Sequence, residues 1–181
     1  AIADFDQNGY PDLFFTGNQV SNKLYLNQGD FKFEDVSALA GIEAANFWCT
    51  GSAVVDINGD GWMDIYVVSA MKTGPGERNN LLFVNQGNNA EGQITFKEMA
   101  ESYGIADAGN GMGAAFIDYD LDGDLDLYVL NNEQSKIIPS NYREKLLMAR
   151  QSIMMLSIEI MEMEPLLMLL LKLALPLKVS V

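Results

Sequence analysis

Histidine is absent from the 181 residues, and that absence closes several lines of chemistry. It removes His-based triads, imidazole general bases and the usual zinc sites. Cysteine occurs once, as Cys49, so no internal disulfide can form. With no imidazole to take its proton, that thiol reads as a buried core group and not a nucleophile. Basic residues are scarce, 11 against 25 acidic ones, leaving a net charge of −14. This argues against nucleic acid or an anionic membrane surface as a partner. The longest apolar run, Leu166–Leu177, is broken by Lys172. It is too short to span a bilayer, so no membrane insertion is expected, although a short anchor or amphipathic helix is its face-value reading. The chain starts at Ala1 directly before a loop, and the expectation is a fragment whose missing signal peptide says nothing about export.

What is plentiful is acid, and it is ordered. Asp4-Phe-Asp6-Gln-Asn8-Gly9-Tyr10-Pro-Asp12, Asp56-Ile-Asn58-Gly-Asp60-Gly61-Trp62-Met-Asp64 and Asp118-Tyr-Asp120-Leu-Asp122-Gly123-Asp124-Leu-Asp126 share one register. Asp stands first and ninth, Asp or Asn third and fifth, and Gly sixth. Oxygen ligands at alternate positions around a glycine turn can wrap a hard cation of calcium's size. The glycine permits a positive φ, which lets the chain curl until both arms face one ion. An EF-hand is excluded, because it needs a bidentate Glu at the twelfth position between two helices. Here the twelfth residues are Phe15, Val67 and Val129, inside runs that read as strands. The third loop, with five carboxylates, is expected to bind best. The first, with only Asp4, Asp6 and Asp12, is expected to be weakest.

The loops recur at 4, 56 and 118, spacings of 52 and 62 residues that suit a repeated supersecondary unit. Other marks keep step. Gly51-Ser-Ala-Val-Val-Asp56 matches Gly113-Ala-Ala-Phe-Ile-Asp118, and Asn22-Lys-Leu24-Tyr25-Leu-Asn27-Gln-Gly29 matches Asn80-Leu-Leu82-Phe83-Val-Asn85-Gln-Gly87. Phe33-Glu-Asp-Val36 with Ala40-Gly41-Ile42 likewise matches Phe96-Lys-Glu-Met99 with Tyr103-Gly104-Ile105. Each unit holds about four short strands and cannot bury its apolar face alone, so the units must pack side by side. The fold class is all-β. Leu13, Phe15, Val54, Ile65, Val67, Ala115, Ile117, Leu127 and Val129 are the expected core.

Together these residues resemble the FG-GAP/VCBS repeats of integrin α-chain-type β-propellers. The Phe-x-Asp-Val and Ala-Gly-Ile endings look most like the cartilage acidic protein group, whose bacterial relatives carry an ASPIC/UnbV domain. The resemblance covers residues 1–145, in units of about 1–50, 51–110 and 111–145. It implies a partial propeller of about three four-stranded blades, cut from a fold usually of seven, with Ca2+ in several hairpin loops. Carried over by position, the ligands are the side chains of Asp4, Asp6, Asn8 and Asp12, of Asp56, Asn58, Asp60 and Asp64, and of Asp118, Asp120, Asp122 and Asp126. The seventh residues, Tyr10, Trp62 and Asp124, would each give a backbone carbonyl.

From Leu146 the composition changes. Residues 146–181 contain no Gly, Asp, Asn, Phe, Tyr or Trp, yet hold six of the ten Met and eleven Leu. Back-translated and read one base earlier, the tail can yield Leu-Tyr-x-Asn-x-Gly, Phe-x-Asp-Val and Ala-Gly-Ile at the spacing of the first unit. The expectation is a frameshift near Lys145 and a tail outside the native fold. A helix through Met148–Met163 is expected, with no strand matching Leu24–Asn27.

The function expected is non-catalytic: a calcium-binding propeller segment of an exported protein, extracellular or on the cell surface, that binds a protein or glycan. Weak loops of this kind match calcium levels outside cells. Two alternatives stay open. One is the propeller part of a polysaccharide-acting enzyme, and the other is a purely structural, calcium-stapled scaffold.

Overall fold

Each acidic loop joins two strands, and each apolar run that leaves a loop is the second strand of its sheet. The computed structural model describes residues 1–71 and 78–132, with the backbone alone of residues 156–161. The first sheet contains β1 (Ile2–Ala3), β2 (Asp12–Phe15), β3 (Lys23–Asn27) and β4 (Phe33–Asp35). A single helical turn, α1 (Ser37–Ala40), follows and ends on Gly41 at φ 76. The second sheet contains β5 (Cys49–Val55), β6 (Asp64–Ser69), β7 (Leu81–Asn88) and β8 (Ile94–Glu98), and the third β9 (Gly111–Ile117), β10 (Asp126–Asn132) and β11 (Leu156–Met161). Every described neighbour pair is antiparallel and follows chain order. The all-β reading holds, as a set of up-and-down sheets consistent with part of a propeller. Among the described residues no helix is long and apolar enough to cross a membrane.

β11 corrects the expected helix. Met161 stands opposite Leu127 as Phe83 stands opposite Ile65 and Tyr25 opposite Leu13. β11 therefore pairs with β10 in the register in which β3 pairs with β2, its Glu159–Met161 answering Lys23–Tyr25. Two physical terms explain this. The run Leu-Ser-Ile-Glu-Ile-Met alternates apolar and polar residues around two β-branched ones, and β10 would otherwise offer an unpaired row of backbone groups. The rest of 146–181 lies outside the described residues.

The sheets stack face to face. The first interface gathers Phe5, Phe14, Leu24, Leu26 and Ile42 from one side with Cys49, Ile65, Val67, Phe83 and Phe96 from the other. The second gathers Ile57, Tyr66, Val68, Leu82, Val84 and Ile105 against Leu127 and Val129. β6 thus sends alternate residues to opposite neighbours, and all six of its residues are buried. Cys49 is buried as expected, at 3% exposure.

The core list needs correction. Ile65, Val67, Leu127 and Val129 are buried, but Leu13 and Val54 are half-buried and Phe15, Ala115 and Ile117 are exposed. On β2 the buried residues are Asp12 and Phe14, because only one face of the first sheet has a described neighbour. β9 lies so close to β6 that a Cβ on Gly111 would collide with Val68, and so close to β5 that one on Gly51 would sit 3.1 Å from the Met112 carbonyl. Its apolar residues sit at that seam or face outward and are not sandwiched.

Candidate metal centre

The three loops share one hydrogen-bonding scheme, set by the first and ninth carboxylates. The sixth-position N–H groups of Gly9, Gly61 and Gly123 donate to Asp4 (2.9 Å), Asp56 (2.9 Å) and Asp118 (3.2 Å). At the ninth position Asp12, Asp64 and Asp126 accept the N–H of Phe5 (2.7 Å), Ile57 (2.9 Å) and Tyr119 (2.8 Å). Each loop is thereby tied at both ends, so its oxygens are held before any ion arrives. The glycines adopt φ of 89, 88 and 94, as expected. The fourth position is also left-handed, at Gln7 (φ 59), Gly59 (φ 69) and Leu121 (φ 63). Sequence reasoning missed this second kink, because two of the three residues are not glycine and no turn signal marks them.

Positions one, three and nine are the ones that converge. Asp4, Asp6 and Asp12 each offer an oxygen within 4.8 Å of the others, and so do Asp118, Asp120 and Asp126. Either set can hold a metal ion. In the second loop the third place belongs to the amide Asn58, between Asp56 and Asp64. The first loop, expected to be weakest from its acid count, gathers as many carboxylates as the third.

The fifth residues serve the loop itself. Asn8, Asp60 and Asp122 accept the N–H of Tyr10 (2.8 Å), Trp62 (2.8 Å) and Asp124 (2.9 Å). The rings at position seven cover glycines of the neighbouring hairpin. A Cβ on Gly29 would lie 3.3 Å from Tyr10, and one on Gly87 would lie 3.1 Å from Trp62.

The electrostatics favour a cation. Burial raises the pKa of Asp6 and Asp12, with neighbouring loop carboxylates adding to the rise. Burial pushes Asp64 up to about 7, against the pull of its two backbone donors. Crowded, partly desolvated carboxylates gain most from a positive partner. Asp118 supplies a direct test of fit. Its Oδ1 is buried and finds no hydrogen-bond donor among the described residues, as an oxygen reserved for a ligand would.

The recurring Asn of the downstream strand supports the site. Asn27 and Asn85 donate their backbone N–H to Asp12 and Asp64, both at 2.8 Å. Their side chains donate to the eighth-position carbonyls of Pro11 (3.1 Å) and Met63 (3.2 Å). The in-step Leu-Tyr-x-Asn-x-Gly motif was the available signal, and its role is to brace the ninth carboxylate. A cleft of about 370 Å3 opens beside the first loop, lined by Asp6, Asn8, Gln28, Glu34 and Gln93 over Leu26 and Ile94.

No curated protein matches the chain. Residues 4–67, which span the first loop, β2 to β5 and the second loop into β6, match the FG-GAP-like repeat, a repeat that occurs in propeller domains of adhesion proteins.

Proposed function

We propose that this chain is a calcium-stapled propeller segment of an exported protein and that it works by binding a protein or glycan partner without catalysis. The observation that carries the calcium reading is the convergence of Asp4, Asp6 and Asp12, and of Asp118, Asp120 and Asp126, on loops tied at both ends. Oxygen-only donors, at least three of them carboxylates, suit a hard cation, and the roomy turn suits calcium over magnesium. The ninth carboxylate also braces the hairpin, so ion binding contributes to folding. The carboxylates accept backbone N–H groups and, at Asp6 and Asp60, the amides of Asn8 and Asn58, which supports a role other than acid–base chemistry. The cleft beside the first loop, with carboxylate and amide groups over an apolar floor, supports contact with a hydroxyl-rich or peptide partner. The Phe-x-Asp-Val and Ala-Gly-Ile endings support placing the chain with the cartilage acidic protein group.

Isothermal titration of the chelator-treated chain tests the metal reading. Calcium is expected to bind in the high-micromolar to millimolar range, with Asp120→Asn and Asp6→Asn each removing one class of site. Absence of calcium heat overturns it. A glycan and protein array then tests the partner reading, and turnover of a polysaccharide panel would replace it with an enzyme.

A further inference from the structure

The first two loops are joined by a buried chain of hydrogen bonds. Asp12 Oδ2 accepts the N–H of Phe5 at 2.7 Å. The Phe5 carbonyl accepts Asn85 Nδ2 at 3.0 Å, a bond between residues eighty positions apart in the chain. The backbone N–H of Asn85 donates to Asp64 Oδ1 at 2.8 Å. Its side chain is fixed from two more sides, donating to Met63 and accepting the N–H of Gly87 at 2.9 Å. Asp12, Phe5 and Asp64 are fully buried, and Asn85 is 1% exposed. A second link runs over the surface, where Gln7 Nε2 donates to the Gly61 carbonyl at 3.0 Å.

We propose that Asn85 is a positioning residue that couples the two loops, so that an ion in the first strengthens binding in the second. This rests on the calcium reading given above. An ion drawing on Asp12 moves the group that holds the Phe5 N–H. The Phe5 ring is wedged edge-on against Phe96 at 6.2 Å, in a fully packed interface. Displacement therefore passes to Asn85, and through it to Asp64, instead of dissipating locally. Hydrogen bonds out of water are strong enough to transmit such a bias. Coupling between binding sites is reciprocal, so the second loop strengthens the first equally. Asn27 holds the same place in the first sheet, but among the described residues its side chain bonds Pro11 and Gly29 and nothing in the second sheet.

Terbium, a calcium-sized ion whose emission is excited by a nearby indole, reads the second loop through Trp62. A Trp48→Phe background leaves Trp62 as the sole tryptophan of the two present. Second-loop affinity is measured with the first loop intact and with it disabled by Asp6→Ala. Disabling it is expected to weaken the second loop about fivefold or more with Asn85 present, and by less than about twofold in Asn85→Leu. Asn22→Leu, at an equally buried asparagine whose side chain bonds Gly17 and Ile42 and neither loop, should leave the coupling in place, which a merely structural loss would not. If Asn85→Leu does not fold, Asn85→Asp keeps the acceptor for Gly87 and removes both donors. Equal second-loop affinity with and without the first loop overturns the coupling and leaves calcium binding standing. Undiminished coupling in the Asn85 variants overturns the assignment to Asn85. Absence of both terbium emission and calcium heat overturns the metal reading and this inference with it.

Discussion

β2 and β6 begin from nearly the same text, Asp-Leu-Phe-Phe and Asp-Ile-Tyr-Val, and end in different surroundings. All six residues of β6 are buried, whereas on β2 Phe14 is 1% exposed and Phe15 54%. Ile65 and Val67 face the first sheet while Tyr66 and Val68 face the third, so β6 has no outside. β2 has one. In a stack of sheets, burial belongs to the neighbour as much as to the strand, and an apolar run specifies only that both faces can be covered.

The largest expected effect separates two adjacent phenylalanines. Phe14→Ala should cost about 3–5 kcal/mol of stability, and Phe15→Ala about 1 kcal/mol or less. Urea denaturation of the two variants measures the gap. Equal losses would mean that the outer face of β2 is covered too.

The second comparison is between ionisation and burial in the second loop. The folded pKa of Asp64 is about 7, above the usual carboxylate value. Its protonated form is therefore favoured in the metal-free fold. That contribution is complete below about pH 4 and is lost as pH rises through about 7, at about 1.4 kcal/mol per unit of difference. With chelator present, melting temperature should fall across that window, and Asp64→Asn should flatten the fall. Calcium should also remove it, by stabilising the ionised form.

A smaller effect is expected where an aromatic ring lies over a hairpin glycine. Gly87→Ala meets both a φ of 70 and the Trp62 ring, and should cost about 1–2 kcal/mol. Gly29→Ala, under Tyr10 with slightly more room, should cost somewhat less. Quenching of Trp62 fluorescence should shift in the first variant alone. The smallest effect belongs to the pair Lys23–Asp35, 2.9 Å apart on the open face and about two-fifths exposed. Lys23→Ala should change stability barely measurably, and added salt should erase even that.

The loops were legible in sequence because their ligands alternate and their glycines are obligatory. The strand after each loop was legible from its β-branched and aromatic residues. Which face of that strand is covered was not, since Phe14 and Phe15 are chemically identical and only stacking tells them apart. The kinks at Gln7 and Leu121 were hidden because hydrogen bonds within the loop, from the next two N–H groups to the first and third carboxylates, go with a left-handed backbone that neither side chain prefers. β11 was hidden by composition. A Leu- and Met-rich stretch favours helix over a window, and the six residues that pair do so because β10 offers them a partner. Asn85 was visible as a repeated letter, but its bond to Phe5 crosses between sheets and has no local signature.

Cys49 lies at the start of β5 in the interface between the first and second sheets, and burial pushes its thiol up to about 11. A thiol so protonated and enclosed is inert to oxidants and to mixed-disulfide exchange while those sheets stay together. Its labelling by a thiol reagent therefore counts the moments when they part, which makes this lone sulfur a clock for breathing of the interface. Oxidative cross-linking of two copies of the chain can run no faster than that parting, so whatever holds the first sheet down also slows covalent dimerisation.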